Sequence, residues 1–327
     1  MKILVTGSTG YLGSNLTRRL VKDGYEVRAF ARKDSPSLKN LDGLDIEIAY
    51  GDLTDKDSIK DAVKNINVVF HIGAVYREAK VKDQYYFDVN AEGTRRMLEA
   101  SLVSKVEHFI HCSTIGVLGG PKVLPANEDS PYNPGDPYQR SKAEGEKTAL
   151  EFHKKHNFPV TVIRPGAIYG PCDFRMLKMF KMIAKRRFVM LGSGNVYLHQ
   201  VYIDDLVDGF LLGWKKKNSI GNVYIIEGPD YVTLNELAVI IAAEFDVPPP
   251  KLHLPVKPFQ ILGTITEKIF IPLGLEPPIY RRRVDFFTKS RAFDISKARK
   301  ELGYDPKFDI RRGIHETAKW YKENGYI

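Results

Sequence analysis

The chain of 327 residues holds only two cysteines, Cys112 and Cys172, far apart in sequence. They form neither a zinc-ligand spacing nor a disulfide framework, and His153 and His156 read as solvated residues of a charged stretch. No metal site is expected. No uncharged apolar run reaches the roughly 18 to 20 residues that cross a bilayer. The nearest, 259–275, is broken by Glu267, Lys268, Pro272 and two glycines. It reads as a cover over a pocket, with contact to a membrane surface as the alternative. No basic leader precedes an apolar stretch and cleavage site, so no signal peptide is expected and the cytoplasm is the default compartment. Internal repeats and low-complexity segments are absent. Charge is not concentrated either: 49 bases against 40 acids give a formal net charge of +9, scattered apart from Lys215-Lys216-Lys217 and Arg281-Arg282-Arg283. Nucleic-acid surfaces need one basic face interleaved with stacking aromatics, so nucleic acid is excluded as a partner. A small anionic ligand is compatible.

What is present is organised around Thr6-Gly7-Ser8-Thr9-Gly10-Tyr11-Leu12-Gly13. An apolar run, Ile3-Leu4-Val5, precedes it, and Leu12, Leu16 and Leu20 follow at the spacing of one helix face. That is a strand, a glycine turn and a helix. The exposed N–H groups of a helix start stabilise a phosphate, and glycines let it approach. Gly7, Thr9, Gly10, Tyr11, Leu12 and Gly13 are therefore candidate dinucleotide contacts.

A second strand, 25–30, follows the helix stop at Gly24 and ends in Ala31-Arg32-Lys33, with no acid before Asp34. A carboxylate there would accept from a ribose 2′-hydroxyl, whereas an arginine pairs with a 2′-phosphate. Arg32 therefore favours NADP(H), with NAD(H) as the alternative. Strands are expected at 46–50, 67–71, 106–111 and 159–163, with a helix over about 86–101. Asp52 and Leu53 sit at the end of the third strand, where Asp52 fits an adenine contact or, equally, an acid at the following helix start, and Ile72-Gly73-Ala74 allow close backbone approach after the fourth. This alternation predicts an α/β protein with a doubly wound parallel sheet, a Rossmann fold. After Gly170-Pro171 the rhythm breaks, while 202–205 and 223–226 look like returns to the sheet. The expected division is a dinucleotide-binding domain of 1–171 plus 200–227 and a smaller, discontinuous substrate domain of 172–199 plus 228–327.

The chemistry centres on Tyr138 and Lys142, which follow the helix-start signal Asp136-Pro137. Four-residue spacing puts both on one helix face, where a lysine ammonium lowers a phenol's pKa towards the range of proton transfer. Tyr76 and Lys80 share the spacing, but only Tyr138 follows a strand-end hydroxyl pair, Ser113-Thr114. Tyr76 is assigned to a loop. Hydride transfer at a nicotinamide follows, with Tyr138 moving the substrate's hydroxyl proton and Thr114 holding its oxygen. Lys142 lowers the tyrosine pKa and binds the nicotinamide ribose.

Taken in order, the glycine turn, Gly51-Asp52-Leu53, Asn90 with Gly93-Thr94, Ser113-Thr114 with Gly119, Tyr138-Lys142, Arg164-Pro165 with Tyr169-Gly170-Pro171, and 201–205 resemble an extended short-chain dehydrogenase/reductase. That group includes the NAD-dependent epimerase/dehydratase proteins. The resemblance implies that Thr114 fills the catalytic Ser/Thr position and that Asn90 supports the site. It also implies that Ser113 and the segment Pro165, Ala167 and Ile168 line the nicotinamide pocket. A homodimer formed by helices about 86–101 and 138–155 is implied as well. The 24–32 stretch is similar to the dihydroflavonol-reductase branch, and 281–304 to the 3β-hydroxysteroid dehydrogenase branch. Nucleotide-sugar epimerases and dehydratases often carry an arginine where this chain has Leu198, which leaves a pyrophosphate without that cation. Lys178, Lys181, Arg186, Arg187 or Arg281 are alternative sources of charge.

Two readings follow: an oxidoreductase acting on a ketone/alcohol pair of an apolar or aromatic small molecule, and a nucleotide-sugar epimerase or dehydratase recycling bound NAD. A non-catalytic dinucleotide sensor predicts loss of the Tyr–Lys pair, and both residues are present. Cys172 is expected to border the pocket without acting as a nucleophile, and His199 is a candidate substrate contact.

Overall fold

The computed structural model describes residues 1–76, 81–270, 273, 275, 284 and 286–327. Its strands are β1 (Lys2–Thr6), β2 (Glu26–Ala31), β3 (Glu47–Tyr50), β4 (Val68–His71), β5 (His108–Cys112) and β6 (Val160–Pro165), then β7 (Ala167–Tyr169), β8 (Met190–Leu191), β9 (Tyr197–Tyr202), β10 (Val223–Ile226), β11 (Tyr231–Thr233) and β12 (His253–Leu254). Between them lie α1 (Tyr11–Lys22), α2 (Lys56–Ala62), α3 (Asp83–Phe87), α4 (Gly93–Val103), α5 (Pro137–His156), α6 (Leu177–Ala184) and α7 (Ile203–Lys215). Then come α8 (Leu234–Ala243), α9 (Val256–Phe270), α10 (Ser296–Leu302) and α11 (Ile310–Glu323).

Among the described residues, seven strands form one parallel sheet in the order β10-β6-β5-β4-β1-β2-β3. Side chains alternate across a strand, so Ile3 and Val5 of β1 join one core and Leu4 the other. Both faces are thus apolar and covered by helices, which is the doubly wound Rossmann architecture. Strand order reverses at β1, flanked by β2 and β4, so a crevice opens above its C-terminal end.

Two details differ from the sequence reading. The helix expected over 86–101 is broken by a single π turn, Asp88–Glu92, between α3 and α4. The segment at 202–205 does not return to the main sheet. Residues 197–202 form β9, which lies between β7 and β11 in a separate three-stranded sheet, and Asp204 and Asp205 open α7. Only β10 rejoins the large sheet, beside β6. The cause is the corner after Pro165: the chain passes directly into β7, whose Ala167 pairs with Gln200. A further two-stranded ribbon joins β8 to β12. No helix among the described residues is long and apolar enough to cross a membrane. Arg281-Arg282-Arg283 and Lys80 lie outside the described residues.

Candidate active site

The glycine turn crosses from β1 to α1 above the switch point. Gly7 has φ +65°, and a Cβ there would lie 2.7 Å from backbone atoms of Gly73. A Cβ at Gly13 would lie 2.1 Å from the Gly7 carbonyl oxygen. Both positions therefore require glycine, and the first turn of α1 stays open to an incoming phosphate. The cleft above the turn is lined by Gly7, Thr9, Gly10, Tyr11, Leu12 and Gly13, and across from them by Arg32, Asp52, Leu53, Ile72, Gly73 and Ala74. Residues far apart in sequence thus share one cradle whose shape and exposed N–H groups fit a dinucleotide.

Arg32 is exposed at the end of β2 and forms no ion pair among the described residues. One carboxylate oxygen of Asp52 accepts from the backbone and hydroxyl of Thr54 at 2.8 and 2.6 Å. The N-cap of α2 is Asp55.

Farther along the same sheet edge, β5 ends at Cys112 and leads into Ser113-Thr114. Thr114 caps the short turn 115–118, its oxygen accepting from the Gly116 N–H at 3.0 Å. That leaves its hydroxyl hydrogen to donate. Helix α5 starts on its Asp136 cap, with the carboxylate accepting from Gln139 N at 2.7 Å, and brings Tyr138 and Lys142 to the same edge. Lys142 is buried and its Nζ donates to the Cys112 carbonyl at 2.5 Å. Burial pushes its pKa down, opposed by Cys112 and Glu146. Thr114, Tyr138 and Lys142 are therefore carried by two adjacent elements.

Ser113 faces elsewhere. Its hydroxyl donates to Glu146, one helical turn beyond Lys142. Glu146 is fully buried, pairs with Arg164 of β6 at 2.6 Å and accepts from Tyr132 at 2.5 Å. Asn90, in the π turn, is also buried: its amide bonds Val75 N and O at 2.8 and 3.1 Å and donates to Ser141 at 3.0 Å. Both residues brace α5 from the protein side. Pro165 ends β6, and Ala167 and Ile168 open β7, forming the corner opposite α5.

Two neighbours were not visible in the sequence. Tyr76 lies in a loop, as expected, yet packs edge-on against Tyr138 at 5.0 Å; its closeness to Gly73 was the only signal. Arg175 donates to Asp173 and to the Ile168 carbonyl, each at 2.7 Å, and lies over the Tyr11 ring. No spacing marks it, because these contacts join distant segments.

Other candidates are structural. His199 accepts from Phe293 N–H at 3.2 Å and donates to the Gly228 carbonyl at 2.9 Å, which fixes it within the small sheet. His153 is not simply solvated: it donates to the Phe158 carbonyl at 2.9 Å beyond the end of α5. Cys172 is exposed and free.

A model of the "NAD dependent epimerase/dehydratase family" matches residues 3–226, well over half of the chain. The sterol demethylase protein B of Methylococcus capsulatus is 31% identical, aligned over 100% of both chains. A 3-beta-hydroxysteroid dehydrogenase of Mycolicibacterium neoaurum is 28% identical over 98% of this chain and 92% of that protein. Among solved structures, the UDP-glucuronic acid 4-epimerase of Bacillus cereus in complex with NAD superposes with a TM-score of 0.80, at 25% identity and 99% coverage of both chains.

Proposed function

We propose a specific activity for this chain, which belongs to the NAD-dependent epimerase/dehydratase family and is an enzyme: it oxidises or reduces a secondary alcohol/ketone pair on an apolar, steroid-like small molecule. The observation that carries the reading is Thr114, Tyr138 and Lys142 on adjoining elements at the C-terminal end of β5, two strands along the sheet from β1 and its glycine turn. A bound nicotinamide dinucleotide supplies the hydride exchange. Tyr138 gives or takes the proton of the substrate's hydroxyl group, and Thr114 donates a hydrogen bond to the same oxygen. Lys142 holds positive charge below Tyr138 and favours its phenolate. Pro165, Ala167 and Ile168 shape the nicotinamide wall, while Asn90 and Ser113 keep α5 in place. Arg32 meets a 2′-phosphate, which makes NADP(H) the preferred partner over NAD(H).

The apolar substrate class is supported by Leu198, buried in the core where nucleotide-sugar enzymes often carry an arginine. The names of the relatives at 31% and 28% identity point the same way. The substrate lobe in this reading is 172–199 plus 228–327, although β9 runs across the boundary at 199. Two copies pair through α4 and α5 in a reducing cytoplasm. The outward face of α5 carries Arg140, Glu144, Lys147 and Glu151 at one-turn spacing, so that pairing is ionic and salt-sensitive.

Incubation with NADP⁺ and a 3β-hydroxysteroid should give one reduced nicotinamide per ketone formed, read by near-ultraviolet absorbance. Interconversion of a UDP-hexose with no net cofactor change would replace this reading with the epimerase one.

A further inference from the structure

Helix α9 is amphipathic in the wrong sense for a helix covering a core. Its inward residues are small, with Gly263 and Thr266 buried. Its large aliphatic residues face outward: Ile261 is 61% exposed, Ile265 47% and Ile269 52%, in a stripe at four-residue spacing with Leu262 beside it. Leu273 and Leu275, beyond its end, are exposed as well. A surface helix normally turns such a stripe inward. Here water is the neighbour.

Exposed cations stand near both ends of the stripe. Lys257 and Lys268 stand exposed near its two ends, and Glu267, the one acid of the helix, is only partly exposed. The helix leaves the β8–β12 ribbon, whose entry carries exposed Lys185, Arg186, Arg187 and Lys251. None of these six cations forms an ion pair among the described residues. A protein partner's apolar patch would match the stripe but not this unpaired charge. An anionic bilayer matches both, because acyl chains take the isoleucines while lysine stems reach the phosphates. The helix is too short and too charged to span, so it lies in the interface plane.

We propose that α9 docks the protein on the surface of an anionic lipid bilayer. The proposal is independent of the activity assigned above. Flotation with vesicles of phosphatidylcholine mixed with phosphatidylglycerol should recover the wild-type chain at least about tenfold more than phosphatidylcholine alone, less at high salt. Ile261→Asp with Ile265→Asp should abolish recovery at unchanged melting temperature and unchanged sedimentation. Lys257→Ala with Lys268→Ala should weaken it and flatten its salt dependence. If the aspartate variant does not fold, Ile269→Cys in a Cys172→Ser background, carrying an environment-sensitive dye, should shift to the blue on adding the mixed vesicles. Absence of wild-type recovery on mixed vesicles, or of that dye shift, overturns the proposal. So does conversion of a dimer to monomer by the aspartate variant without lipid, which would assign the stripe to a second copy.

Discussion

Acid should destabilise this protein through histidines that it buries uncharged. His71, His108, His111 and His199 are all buried. Desolvation pushes His71 down to about 3, His108 and His199 to about 4, and His111 well below its ordinary value. The nearby Lys142 adds to the effect on His71 and His111. Hydrogen bonds agree at His199, where Nδ1 accepts and Nε2 donates, as only a neutral ring can. Below about pH 6.5 the unfolded chain protonates each ring and the native state does not. The stability involved is therefore present above that pH and lost as pH falls. One ring costs about 1.4 kcal/mol per pH unit, so about 2 kcal/mol between about pH 6.5 and 5. Glu227 acts with the opposite sign. It is buried, neither carboxyl oxygen has a hydrogen-bond partner among the described residues, and burial raises its pKa well above the usual range. Its native proton stabilises the fold by about 2 kcal/mol over the same fall in pH. Burial also raises Glu128, Asp204 and Asp205, which offset part of the loss in the same way as Glu227. His111→Phe isolates one ring: neither of its nitrogens has a hydrogen-bond partner among the described residues, and it stacks on His71 at 5.7 Å. In urea unfolding followed by circular dichroism, the variant should match wild type near about pH 7 and gain about 2 kcal/mol on it near about pH 5. Identical pH dependence in the two proteins would refute the buried neutral histidine.

Three further outcomes follow from the geometry. Arg32→Ala should weaken NADPH binding by about tenfold or more while leaving NADH nearly unchanged, as titration calorimetry can measure; equal losses would remove the 2′-phosphate role. Gly13→Ala places a Cβ against the Gly7 carbonyl, so dinucleotide affinity should fall by about tenfold or more. Glu146→Gln removes the charge that compensates Arg164 in a buried pair, which should cost about 3–5 kcal/mol in chemical unfolding. An effect below about 1 kcal/mol would show that water reaches the pair.

The sheet was legible because its strands are short apolar runs bounded by glycine turns and capped helices, and a parallel sheet covered on both faces needs such runs. The cradle was legible for a related reason: backbone approach at Gly7 and Gly13 forces the residue type. Tyr138 and Tyr76 share the lysine spacing, and only the strand-end hydroxyls upstream of Tyr138 distinguish them in the sequence. Contacts set only by tertiary packing were not legible. Ser113 finds Glu146 across 33 positions, Arg175 reaches Ile168 through a turn, and β9 pairs with β7 although its sequence suits the large sheet equally well. The π turn at Asn90 depends on bonds to Val75 and Ser141, which helical periodicity does not register. Nor did the sequence of α9 reveal which of its faces the fold would turn outward.

In the proposed mechanism Tyr138 carries the substrate's proton. The most direct test is steady-state turnover of Tyr138→Phe with NADP(H) and a steroid alcohol or ketone, beside cofactor affinity measured by fluorescence titration. Turnover should be lower by about two orders of magnitude or more, with NADPH affinity within about twofold of wild type. A variant that keeps its full rate would contradict that mechanism.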